Sequence, residues 1–120
     1  MRRLAACVLL TIVACSTGSE SERFVLEEWA VSGPERLAAG VDAVTVENSG
    51  EWSHTLVVTT EGGQVVAASG LIESGAGTDL EVALQPGAYV FSCRIVAEDD
   101  EGVLSDHYER GMNRRVIVKA

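Results

Sequence analysis

Apolar and polar positions alternate over short stretches along this chain, and the stretches are separated by turn residues. Phe24 to Val31 is the first such stretch and ends at Ser32-Gly33-Pro34. Val41 to Val46 places valines at 44 and 46 and runs into Asn48-Ser49-Gly50. His54 to Thr60 is rich in β-branched residues, which suit a pleated surface, and stops at Gly62-Gly63. Gln64 to Ala68, Thr78 to Leu84, Ala88 to Ile95 (after the Pro86-Gly87 turn) and Arg114 to Lys119 complete the set. A series of short strands with regular turn signals predicts an all-β sandwich or barrel of about 7–8 strands. Helical periodicity is weak; Pro34 to Ala39 suggests one helical turn stopped by Gly40.

The N-terminus follows a different pattern. Met1-Arg2-Arg3 is positively charged, and Leu4 to Val13 is an uncharged run far shorter than the ~20 residues of a membrane-spanning helix. This predicts a secretory signal over residues 1–14. The run closes on Ile12-Val13-Ala14-Cys15, which resembles a bacterial lipobox and implies lipid on Cys15. Residues 15–23 then form a small, polar, acidic tether, and residues 24–120 are one domain's worth of chain. The expected location is outside the cytoplasmic membrane, on its outer face or in the periplasm, with lipid as the only membrane attachment. Beyond residue 14 there are 18 acidic and 7 basic residues. That balance excludes nucleic acid as a partner, because phosphate binding needs clustered Lys and Arg.

Cysteine use sharpens the picture. With Cys7 in the signal and Cys15 at the lipid site, Cys93 has no partner for an internal disulfide. A lone thiol in an exported protein is either a buried small hydrophobe or a ligand. The folded part also holds two histidines and one methionine: His54, His107 and Met112. Two imidazoles, a thiolate and a weak thioether form the ligand set of a blue-copper site, whose mixed softness serves both copper oxidation states. Zinc could use the cysteine and the histidines but gains little from a thioether.

The arrangement of these residues resembles the cupredoxin family from about Phe24 to Val118. Leu84-Gln-Pro-Gly-Ala-Tyr-Val-Phe-Ser-Cys93 is similar to that family's strand into the copper cysteine, and His107-Tyr-Glu-Arg-Gly-Met112 to its histidine, loop and Gly-Met element. Val44 to Gly50 followed by His54 is similar to the strand and loop before its first histidine. The resemblance implies a Greek-key β-sandwich that holds one copper, with His54, Cys93 and His107 as equatorial ligands and Met112 as the axial one. Two features depart from the family pattern. Thr55 stands where such proteins often carry Asn, and thirteen residues, Arg94 to Asp106, separate the cysteine from the second histidine instead of a few.

That insertion reads as a hairpin. Two short strand-like runs flank Asp99-Asp100-Glu101-Gly102, a turn signal. A hairpin centred on Asp100 pairs residues whose numbers sum to 200, and so places His107 opposite Cys93. Tyr89 and Phe91 share the Cys93 side of their strand and are expected in the core, as is Trp29. Trp52 and Tyr108 adjoin the histidines and could line a docking patch, and Glu98 to Glu101 could steer a basic partner.

These readings predict one-electron transfer with a protein partner, and no enzymatic activity. Copper storage or delivery to an exchange partner is the alternative, and a metal-free binding module of the same fold is a third. Hydrolase readings lack a nucleophile elbow.

Overall fold

The computed structural model describes residues 22–120. The expected signal at 1–14, the lipid site at Cys15 and nearly all of the tether lie outside the described residues. Eleven strands are present: β1 (Arg23–Glu27), β2 (Ala30–Ser32), β3 (Arg36–Leu37), β4 (Ala43–Asn48), β5 (Val57–Thr60), β6 (Val65–Ala68), β7 (Gly77–Glu81), β8 (Gly87–Ser92), β9 (Val96–Glu98), β10 (Leu104–Asp106) and β11 (Asn113–Val118). Among the described residues there is no α-helix. The fold is an all-β sandwich. One sheet has the order β2-β1-β4-β7, the other β3-β11-β8-β5-β6, and β9 and β10 form a separate two-stranded hairpin.

Alternation explains which side chains meet between the sheets, because successive residues of a strand point to opposite faces. Phe24 and Leu26 of β1 and Val44 and Val46 of β4 are buried from one layer; Val58, Tyr89, Phe91, Val116 and Val118 are buried from the other. Phe24 and Phe91 stack across the interface with ring centroids 4.7 Å apart. The buried face of β8 continues past the strand to Cys93, and that of β11 begins with Met112.

Three expectations are corrected. The apolar run from Phe24 to Val31 is two strands, since the chain reverses at Glu28-Trp29 and pairs Val25 with Ser32. Residues 34–39 contain no helical turn; Arg36 and Leu37 pair in parallel with Ile117 and Val118, so sheet pairing overrides a local composition that tolerates helix. The inserted segment is a hairpin, but its register is Val96 with Asp106, Ala97 with Ser105 and Glu98 with Leu104. These pairs sum to 202, not 200, so His107 falls opposite Ile95 and donates its N–H to the Ile95 carbonyl at 2.9 Å. An offset of two residues preserves the face each side chain occupies, whereas an offset of one would not.

Candidate metal centre

The site forms where β1, β4 and β8 end and β5 and β11 begin. Cys93 follows β8, and its N–H donates to the Met112 carbonyl at 3.0 Å. That bond extends the β8–β11 register, in which Asn113 faces Ser92, by one pair. Cys93 and Met112 are therefore opposed residues on the core face, a position that sets Cβ atoms ~4.5–5.5 Å apart. His107 is joined to the same point, because its carbonyl accepts the Met112 N–H at 3.1 Å. The turn between them requires Gly111: its φ is +130°, and a Cβ there would sit 2.7 Å from the Trp29 carbonyl oxygen.

His54 does not open a strand, as the sequence suggested, but precedes β5 in an isolated bridge with Ile72. The loop leading to it is held by Asn48, which is almost wholly buried. The Asn48 amide donates to the carbonyls of Trp52 at 2.8 Å and Ile72 at 2.9 Å, and its oxygen accepts the Gly50 N–H at 2.8 Å.

These elements bring His54, Cys93 and His107 together. All three are buried, and one ligand atom from each lies within 4.8 Å of the others. The Nδ1 atoms of the two histidines are 3.3 Å apart, and the Cys93 sulfur is 3.5 Å from His107 Nδ1 and 3.9 Å from His54 Nδ1. Metal–nitrogen bonds of about 2.0 Å and a metal–thiolate bond of about 2.3 Å, set 110–120° apart, separate their ends by roughly 3.3–3.7 Å. Two edges of the triangle fall in that range, and the third, from Cys93 to His54 at 3.9 Å, is slightly longer. Met112 is fully buried beside it. The Cys93 sulfur also accepts from Thr55, from its N–H at 3.4 Å and its hydroxyl at 3.7 Å.

The surroundings contain residues that the sequence did not single out. Glu28, at the β1–β2 turn, lies 2.5 Å from His54 Nε2 and accepts the N–H groups of Glu51 at 2.8 Å and Trp52 at 3.2 Å. Burial alone would raise the Glu28 pKa, but these three hydrogen bonds and the nearby histidine hold it below the ordinary value of 4.5. His107 is shifted down from 6.5, chiefly by burial and next by repulsion from the His54 ring when that ring is protonated. Its Nε2 is buried without a hydrogen-bond partner. Trp29, expected in the core, is partly buried against it and also covers the site: its ring meets His107 edge-on at 4.9 Å and Trp52 at 5.2 Å, with Arg110 stacked 4.3 Å above it. Trp52 is 42% exposed and 5.9 Å from His107. Tyr108 packs under the Arg94 guanidinium.

A buried cysteine and two buried histidines, converging through facing nitrogens, can hold a transition metal. The β-sandwich with this cluster at its end is compatible with a cupredoxin-like fold. Compared with protein-family models and with curated proteins, the chain matches none.

Proposed function

We propose that this is a copper protein of the cupredoxin type that carries single electrons outside the cytoplasmic membrane, anchored there by lipid on Cys15. Copper would be held by His54, Cys93 and His107, with Met112 as a weak axial ligand. The observation that carries this reading is the buried His54–Cys93–His107 triangle with its metal-sized edges. The donor set favours copper, since thiolate and thioether suit Cu(I) and imidazole suits both oxidation states.

Two features support electron transfer over copper delivery. The inserted segment is a paired hairpin, and the backbones of Cys93, His107 and Met112 are hydrogen-bonded to one another. A fixed ligand cage exchanges metal slowly and rearranges little when the electron moves. All three clustered side chains are at most 1% exposed, which leaves no access for a substrate and supports a carrier in place of an enzyme.

The test is an absorption spectrum of the purified domain as Cu(II) is added. One equivalent should produce an intense visible band from sulfur-to-copper charge transfer, and Cys93→Ser should abolish it. Binding of Zn(II) with no coloured Cu(II) complex would reject the reading.

A further inference from the structure

We propose that Glu28 is the positioning residue of the metal centre: its carboxylate fixes His54 in the tautomer that presents a bare Nδ1 to the cluster, and its charge favours the more oxidised metal. The inference deepens the copper reading and rests on it in part.

Proton accounting leads to it. A carboxylate only accepts, so His54 Nε2, 2.5 Å from the Glu28 oxygen, must carry the hydrogen. With that single hydrogen on its ring, His54 has a lone pair at Nδ1, the atom facing Cys93 and His107. Two bare nitrogens 3.3 Å apart would repel, so in the metal-free protein the hydrogen between them belongs to His107 Nδ1. His107 Nε2 is then the bare nitrogen, which agrees with its lying buried with no polar partner. The two histidines are thus inequivalent. His54 is ready to bind, whereas His107 must move its hydrogen from Nδ1 to Nε2, the buried nitrogen that has no polar partner.

The position of Glu28 is built into the fold. Its oxygens bind two successive N–H groups of the ligand loop, at Glu51 and Trp52. They lie so close to Gly50 that a Cβ there would stand 2.4 Å from one of them. The carboxylate comes from the β1–β2 turn, in the opposite layer from β5, β8 and β11, so it orients His54 from outside the ligand-bearing sheet. A carboxylate hydrogen-bonded to a ligand histidine fixes its ring and raises its basicity, and loss of such a partner costs about 10–100-fold in metal affinity.

The experiment combines histidine tautomer NMR on ¹⁵N-labelled copper-free protein at neutral pH with Cu(I) affinity, measured by competition with a chromophoric chelator, and the reduction potential of the copper form. Wild type should show His54 protonated at Nε2 and His107 at Nδ1. In the Cu(I) complex, which is diamagnetic, His107 should be protonated at Nε2. Glu28→Gln keeps an acceptor and removes the charge. It should retain the His54 tautomer and weaken Cu(II) about tenfold more than Cu(I), which raises a one-electron potential by about 59 mV. Glu28→Leu should mix the His54 tautomers and lower Cu(I) affinity about 10–100-fold. A wild-type His54 protonated at Nδ1, or at both nitrogens, would overturn the proposal. So would two variants that lose thermal stability while tautomer, affinity and potential stay as in wild type, since Glu28 would then only staple the loop. Should the wild type bind no copper, the copper reading fails, and the tautomer measurements on metal-free protein still decide what Glu28 does to His54.

Discussion

At the scale of single residues, the four expected ligands are not equivalent. Cys93, His54 and His107 form the triangle, while Met112 is attached to it through backbone bonds at both ends. His107→Ala or His54→Ala should therefore weaken copper binding strongly. Met112→Leu keeps volume and burial, should cost less than about 1.5 kcal/mol of stability, and should mainly shift the reduction potential. Titration with Cu(II), followed by voltammetry of each variant, checks this ordering. The reverse order would mean that His107 is not a ligand. The two tryptophans of the chain both pack on His107, so Cu(II) should quench most of the intrinsic fluorescence, and Trp52→Phe should leave a residual emission that copper still quenches. The triangle was legible in the sequence because its residue types are scarce. Glu28 was not: it is one of 18 acidic residues, it sits in a run that reads as strand, and only the chain reversal at 28–29 turns it toward His54.

At the scale of elements, alternation located most strands, because a strand with one buried face must write that face into its sequence. The reversal after Glu27 is not legible, because Glu28-Trp29 carries no Gly or Pro to mark a turn. The β3 segment is ambiguous, because Pro-Glu-Arg-Leu-Ala-Ala suits a helical turn as well as a sheet edge. The inserted hairpin was legible as a hairpin but not in register, since acidic residues at its tip specify a turn without specifying which ones oppose. Asp99 settles it: its carboxylate accepts the N–H groups of Glu101 and Val103, both at 2.9 Å. Glu98 and Leu104 face each other across the arms. Deleting both should leave the Ile95–His107 contact and the copper site in place. Deleting Glu98 alone leaves one arm a residue longer, which forces a bulge or a slip that turns His107 away. The visible band and copper affinity of the two deletions should differ by tenfold or more, and equal tolerance would mean that the hairpin does not place His107.

At the scale of the whole molecule, metal and proton should both be linked to stability. A ligand present at 100 times its Kd and bound only by the folded state adds about 2.7 kcal/mol. For a domain of this size that is roughly 10–20 °C in Tm, so calorimetry before and after copper removal by a chelator should show a drop of that order. In the copper-free protein, His107 and Glu28 are both shifted down, so the unfolded chain takes up their protons first. Their stabilisation is present above the ordinary values of 6.5 and 4.5 and is lost as pH falls through the lower folded values. Tm should begin to fall below about pH 6.5 and fall further in the carboxylate range, and Glu28→Gln should flatten the second part and, by removing a charge that favours protonated His107, steepen the first. A Tm that rises on acidification across this range would contradict both shifts. Attachment is tested separately: Cys15→Ser should move the full-length protein from detergent to the aqueous phase. One contact described above also has a mechanical meaning. Glu28 stands in the turn between β1 and β2 of one layer and His54 in the loop that leads into β5 of the other, so their bond latches the two sheets together at the end that holds the cluster. At the opposite end the layers meet through apolar side chains such as Val44, Tyr89 and Val118, which can slide where a directed polar bond cannot. Opening should therefore start far from the cluster, with amide protons near Gly87 and Val118 exchanging before those near Cys93 and Met112, so that the molecule breathes like a book held at its spine.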